Sequence, residues 1–271
     1  MGETPFLKIA VAGKGGVGKT TIAGTLSRLL ARDGYQVLAI DADPARNLAY
    51  AIGVSPEVRQ RIVPIADNDD LVKERTRVVP NENLGAVFSL TPRVDDLVEK
   101  LAVRGPDGVL LLVMGTVRAG GSGCMCPASS LLRALLRHVI LRSNYTVVMD
   151  MEAGLEHLGR GTVKGVHALI NTVEPSSRSI DVSLRIMQLS EDLGINRVLL
   201  VANKVASVKD ESFLTSSLSS QGIQLSCLIP FDEALMDADK LKISPIDYAP
   251  MSPAIQEIAR LKSELASLIR A

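Results

Sequence analysis

Tryptophan is absent, and only four phenylalanines and four tyrosines occur in 271 residues. A core in such a chain has to be built from Leu, Ile, Val and Ala, which suits buried parallel strands under covering helices. Net charge is missing too, since thirty basic residues meet thirty acidic ones. No overall field draws in nucleic acid, although a local basic patch is compatible with that balance. No apolar run reaches the roughly 18 residues of a membrane span. The N-terminus lacks the basic-then-apolar pattern of a secretory signal. Met1-Gly2 is followed by Phe6, where the myristoylation pattern needs Ser or Thr. The three cysteines, with no signal, fit a reducing cytoplasm, where close thiols serve metal or redox chemistry rather than disulfides. No repeat, low-complexity tract or linker divides the sequence, so residues 1–271 are expected to form a single domain.

What is present begins with Gly13-Lys14-Gly15-Gly16-Val17-Gly18-Lys19-Thr20, followed by Thr21. It fits G-x-x-x-x-G-K-[ST], the phosphate-binding loop. The apolar stretch 9–12 before it predicts a strand, and Ile22, Leu26, Leu29 and Leu30 after it stand at helical spacing. Gly15, Gly16 and Gly18 are expected to free the backbone for close approach to a phosphate. Successive N–H groups and the positive end of the following helix then form an anion cradle. Lys19 supplies a charge for the β- and γ-phosphates, and Thr20 a hydroxyl for Mg²⁺. Lys14 is a second cation, too far round the loop to duplicate Lys19.

Further strands are expected over 35–41, 109–115, 145–150, 167–173, 197–202 and 224–229, with 109–115 as a central one. Strands alternate with helices from end to end, which predicts a doubly wound, mostly parallel sheet flanked by helices, the α/β class of P-loop NTPases. Residues 54–108 read as an excursion from that sheet, with 67–77 an exposed helix or loop, 86–90 an edge strand and 105–108 a turn.

Carboxylates at the carboxyl ends of parallel strands face the crevice where ligands bind in such sheets. Asp41 and Asp43 close the second strand, with Asn47 after them, and Asp150 closes the strand 145–150. An acidic helix cap would explain one aspartate of the first pair but not both. Asn203-Lys204 and Pro230 also end strands. Asn203 is either an ordinary turn residue or a reader of a base edge, and Pro230 could pack on a base. Cys124-Met125-Cys126 precedes Pro127 and a helix over 128–142. Thiolates are favoured at a helix N-terminus. A C-x-C is a poor disulfide and only half of a four-thiolate metal site, whose other half a symmetric second copy could supply. Two small buried hydrophobes remain the plain alternative. His157 reads as a structural histidine before a pH switch. The helix over 254–269 has mixed charge, unlike a basic membrane-surface helix.

The loop with its second lysine resembles the deviant P-loop of the MinD/ParA/nitrogenase-iron-protein ATPases. That resemblance implies that Lys14 reaches across a homodimer interface to the partner's nucleotide. It implies that Asp43 orients the attacking water, that Asp41 and Asp150 lie in the outer shell of Mg²⁺, and that Gly154 senses the γ-phosphate. Asn47 would support the nucleotide, and Asn203, Lys204 and Pro230 would line the adenine side. A closer resemblance rests on Gly120-Gly-Ser-Gly-Cys-Met-Cys126, Val148-Met-Asp-Met-Glu-Ala-Gly-Leu-Glu-His-Leu-Gly-Arg-Gly161 and Val173-Glu-Pro-Ser176 together. These are similar to the CooC family of nickel-insertion ATPases, which serve carbon monoxide dehydrogenase; the related factor for acetyl-CoA synthase shares the pattern. Glu152 departs from it, where a small residue is expected. The family implies cytoplasmic ATP/ADP and Mg²⁺ chemistry, Ni²⁺ or Zn²⁺ held between subunits by Cys124 and Cys126, a nickel-enzyme client, and neither nucleic acid nor membrane as partner. A ParA- or MinD-like positioning ATPase and a nitrogenase-iron-protein-like redox ATPase are the alternatives.

Overall fold

The computed structural model describes residues 6–81, 85–115, 126–152, 162 and 164–270. The chain opens with β1 (Lys8–Gly13), α1 (Lys19–Arg32) and β2 (Val37–Asp41), then α2 (Leu48–Ile52), α3 (Pro56–Arg59) and α4 (Asp69–Thr76). A hairpin of β3 (Val79–Asn81) and β4 (Gly85–Val87) leads to α5 (Leu97–Leu101), β5 (Val103–Arg104) and β6 (Leu110–Val113). Then come α6 (Pro127–Arg142), β7 (Thr146–Asp150), β8 (Ala168–Val173), α7 (Ser177–Leu193) and β9 (Val198–Val205). The last elements are α8 (Val208–Ser219), β10 (Cys227–Pro230), α9 (Glu233–Leu241), α10 (Pro245–Tyr248) and α11 (Pro253–Arg270).

The main sheet runs β10-β9-β8-β1-β7-β2-β6-β5. Every pairing in it is parallel except the short edge strand β5 on β6. Successive residues of each strand face opposite sides. Ile9, Val11, Val37 and Ala39 pack with Ile22, Leu26 and Leu30 of α1 and Ile258 and Leu261 of α11. Ala10, Ala12, Leu38 and Ile40 pack on the other side with Leu131, Leu135 and Val139 of α6 and Ile186 of α7. With both faces covered, the strands have no polar side to show, hence their unbroken apolar runs.

Two expectations need correcting. The strand in 109–115 is not central. β6 lies second from the edge, yet Leu111 and Leu112 are each 1% exposed because helices cover both of its faces, so burial imitates a central position. The edge strand expected at 86–90 is instead part of the separate antiparallel β3–β4 hairpin.

Helix boundaries follow local chemistry. Pro127 opens α6 at its first turn, where its missing N–H costs no hydrogen bond. The Ser176 side chain caps α7, accepting from the Ser179 N–H, and Gly194 ends it in a left-handed turn. Because α6 connects β6 to β7, two strands that run parallel on either side of β2, the first turn of α6 lies at the carboxyl edge of the sheet. Its last turn lies at the amino edge, where Lys8 Nζ donates to the carbonyls of Val139 and Tyr145 at 3.1 and 2.7 Å.

Candidate functional site

The phosphate loop leaves the middle of the sheet at Gly13 and enters α1 at Lys19. Two of its glycines are required by space as well as by backbone angle. A Cβ on Gly13, whose φ is +150°, would stand 2.4 Å from the Thr172 carbonyl oxygen of the neighbouring strand. A Cβ on Gly18, at φ +97°, would stand 2.2 Å from Asn203 Nδ2. Gly16 is also left-handed, but Gly15 is not and has open space around it. The conformational demand expected of Gly15 therefore falls on Gly13, because β8 passes so close.

The loop is tied down by its own lysine and by the end of β9. Lys19 Nζ, on a side chain 5% exposed, lies 3.4 Å from the Lys14 carbonyl oxygen and 3.7 Å from Asp43 Oδ2. Asn203 Nδ2 donates to the Val17 carbonyl at 2.7 Å, and Lys204 Nζ to the Gly16 carbonyl at 2.6 Å. Asn203 thus spends one amide hydrogen on the loop and keeps its oxygen as an acceptor. Lys204 holds a left-handed backbone, φ +60°, at that strand end; strain of this kind collects at sites where function fixes a side chain.

Register places the carboxylates. Asp41 pairs with Asp150 across β2 and β7, and Val11 pairs with Asp150 on the other side. In-register parallel neighbours project on the same face, so the two acids stand side by side at the carboxyl ends of their strands, both buried and outside the lining of the crevice. Burial raises the Asp41 pKa to about 7, against the backbone N–H groups of Leu48 and Asp43 that donate to it at 3.0 and 3.3 Å. Asp150 is 0% exposed, and neither of its oxygens has a hydrogen-bond partner of normal geometry. Burial raises its pKa to about 7 as well; Thr20 pulls the other way, and the charge of Asp41 adds to the rise. An orphaned carboxylate facing the Thr20 end of a phosphate cradle is the donor set a hard divalent cation takes, by oxygen and through water. The residues present fit Mg²⁺.

A cavity of about 760 Å³ opens over the loop. Gly15, Gly16, Gly18, Lys19, Thr20, Thr21, Asp43, Asn47, Asn203, Lys204 and Pro230 line it, so most of the expected residues are brought together. Phe231, Leu235, Met236, Asp239 and Lys242 are among the other residues that line it and were not expected. Phe231 is adjacent to Pro230 and could have been inferred; the α9 residues carry no local signal. Gly13 and Val17 lie beneath the loop, both buried. Lys14 points elsewhere, its Nζ 3.0 Å from Glu174 Oε1 of the same chain.

Cys126 caps α6, its Sγ accepting from the Ser129 N–H at 3.4 Å. Cys124, Gly154 and His157 lie outside the described residues, and Glu152 is exposed. Among the described residues no group of three or more His, Cys, Asp or Glu side chains could hold a metal ion. No described helix is long and apolar enough to cross a membrane.

Comparison with known proteins agrees with this geometry. Residues 8–246 match the CobQ/CobB/MinD/ParA nucleotide binding domain family. The carbon monoxide dehydrogenase accessory protein CooC of Rhodospirillum rubrum is 46% identical over 90% of this chain and 91% of its own. An uncharacterised ATP-binding protein of Methanocaldococcus jannaschii is 40% identical over 97% and 98%. In structure, the septum site-determining protein MinD of Pyrococcus horikoshii, solved with Mg-ADP, superposes with a TM-score of 0.69 at 20% identity, covering 98% of this chain and 99% of the other; that likeness shows the fold. A phosphate loop under a covered parallel sheet, strand-end carboxylates and this degree of identity lead to one conclusion: the chain belongs to the CobQ/CobB/MinD/ParA nucleotide-binding family, on its CooC side, and is a P-loop ATPase.

Proposed function

We propose that this ATPase works as a cytoplasmic homodimer that carries one soft metal ion between two Cys124–Cys126 pairs and assists nickel insertion into carbon monoxide dehydrogenase or acetyl-CoA synthase. All 271 residues act in this reading as one ATPase domain. The observation that carries it is the position of Cys126. The first turn of α6, which Cys126 caps, and the phosphate loop share the carboxyl edge of the sheet, so nucleotide and thiol chemistry meet on one edge. The likeness to the CooC protein supports the choice of client.

In the ATP cycle the loop N–H groups and Lys19 bind the phosphates, and the Asn203 oxygen takes an adenine amino hydrogen beside Pro230 and Phe231. Thr20, Asp41 and Asp150 would hold Mg²⁺, which would neutralise charge building up on the phosphate oxygens. Asp43 leaves Lys19 once phosphates compete for that ammonium, and its carboxylate then orients the attacking water. Lys14 of the partner subunit completes the cradle by offsetting negative charge in the transition state. Soft thiolates suit either Ni²⁺ or Zn²⁺, and four of them require two chains.

Metal content measured against oligomeric state tests the reading. One ion per dimer, lost in a Cys124→Ser/Cys126→Ser variant that still binds ATP, is expected. One tightly held ion per monomer, or full retention in the double variant, overturns it.

A further inference from the structure

Lys14 and Glu174 are far apart in sequence and joined in space. The lysine follows the first glycine of the loop. The glutamate follows the last residue of β8 and begins the turn into α7. Their 3.0 Å contact involves side chains 34% and 21% exposed. The carboxylate stands on a fixed base. The Glu174 N–H donates to Ser179 Oγ at 3.0 Å, and the Ser176 N–H donates to the Glu174 carbonyl at 2.6 Å. Pro175 stiffens the next link. The lysine's own backbone is equally engaged, since its carbonyl accepts from Lys19 Nζ and from the Val17 N–H, both at 3.4 Å. Only the four-carbon stem of Lys14 is free to swing, between its own chain's carboxylate and whatever lies across the loop.

We propose that Glu174 is a positioning residue for Lys14, a latch that holds this ammonium on its own chain until a second nucleotide-loaded chain draws it away. The proposal rests on the reading that Lys14 acts across a dimer. One ammonium cannot satisfy Glu174 and a partner's phosphate at once, so assembly has to break the pair. Glu174 thereby raises the protein concentration at which active dimers form, and it keeps an unassembled chain from offering its cation to its own nucleotide. A partly exposed ion pair has a modest strength, so the shift to be read is about three- to five-fold.

Two measurements on the full-length protein separate the latch from the reading beneath it. The first is the rate of reductive methylation of Lys14, followed by peptide mass spectrometry on the nucleotide-free chain at low concentration. Glu174→Gln, which keeps the shape and removes the charge, should methylate about three- to five-fold faster, and Glu174→Asp should stay closer to the parent. Equal rates in parent and Glu174→Gln would overturn the latch. The second is ATPase specific activity as a function of protein concentration. Glu174→Gln should reach half-maximal activity at a concentration lower by about the same factor, with the KM for ATP little changed. In a Lys14→Gln background, where hydrolysis should be lost, the comparison is read as the monomer–dimer midpoint with ATP by sedimentation, and Glu174→Gln should not move it. With Lys14 present, a midpoint that stays put, or rises, contradicts the proposal, and a KM change without a midpoint shift would mark Glu174 as merely structural. If Lys14→Gln alone hydrolyses ATP normally, the trans reading fails, while the methylation rates still report whether the pair restrains Lys14.

Discussion

Arg28 on α1 and Asp150 at the end of β7 are both cut off from water, at 3% and 0% exposure. Around Arg28 every part of the guanidinium is answered. Nη1 donates to the Ile52 carbonyl at 2.7 Å and to Asp247 Oδ2 at 2.8 Å, Nη2 donates to Asp247 Oδ1 at 2.9 Å, and Nε meets Asp107. Burial opposes its charge, but the bonds to Asp247 and Asp107 outweigh that and raise its pKa. Around Asp150 the Thr20 hydroxyl and the charge of Lys19 favour the carboxylate, but among the described residues they do not outweigh burial, and its neighbour Asp41 adds a like charge. The contrast separates scaffold from site. Arg28 ties α1 to the α2 end, to residue 107 and to α10, and its charge is finished business inside the fold. The Asp150 carboxyl is left without a hydrogen bond of normal geometry, the feature that the proposed Mg²⁺ would answer.

The largest expected effect sharpens the site half of that contrast. Lys19→Ala removes the buried cation that faces the phosphates and should weaken nucleotide binding by at least about 100-fold, equivalent to roughly 2.7 kcal/mol. Calorimetry on the folded variant reads it, and unchanged affinity would break the assignment of the cavity. Next in size, Arg28→Met should lower unfolding stability by about 2 kcal/mol, because it strips the Ile52 carbonyl of its guanidinium and leaves Asp107 and Asp247 with only the more exposed Arg32. Denaturant unfolding measures this, with nucleotide affinity per folded molecule preserved. A variant of normal stability but poor affinity would erase the distinction between the two regions.

A smaller effect concerns pH. Asp41 and Asp150 have folded pKa values raised to about 7 from 3.8. The folded chain therefore binds more protons than the unfolded chain across that window, and the stability this contributes is lost as pH rises from about 4 through about 7. His167 acts in the opposite direction, because burial lowers its pKa and the neutral ring is favoured in the fold. The aspartates are isolated by comparing the melting temperature of metal-free protein and of Asp150→Asn at pH 5, 6 and 7. The parent should lose a few degrees more than the variant over this range. Parallel curves would show that Asp150 is already ionised and compensated. The same shift means that binding Mg²⁺ with nucleotide near pH 7 releases protons, seen as a buffer-dependent heat.

How far the sequence foretold this arrangement depends on distance along the chain. β1, the loop and α1 are contiguous, and the glycines, the lysines and the flanking apolar pattern lie within one window. Asp41 and Asp150 are visible because each closes an apolar run, and strand ends are where such sheets bind ligands. The demand on Gly13 is not legible in the sequence because the obstacle, the Thr172 carbonyl, belongs to a strand remote from it. Glu174 could not be linked to Lys14, nor Asp247 to Arg28, since neither pair shares a local pattern. β5 has two residues, too few to show a period. Met236 and Lys242 read as ordinary positions on an amphipathic helix and its cap until the fold sets α9 against the crevice.

The most direct test of the central claim, that Asp150 is a charge kept for a bound metal–nucleotide, is the thermal stability of the parent and Asp150→Asn at pH 7.5, each with chelator alone and with Mg²⁺ plus ADP. Removing an uncompensated buried charge should raise the melting temperature of the ligand-free variant above that of the parent. Mg²⁺ with ADP should then stabilise the parent strongly and the variant much less. A ligand-free variant that melts below the parent, together with an equal gain from Mg²⁺ and ADP, would contradict the account.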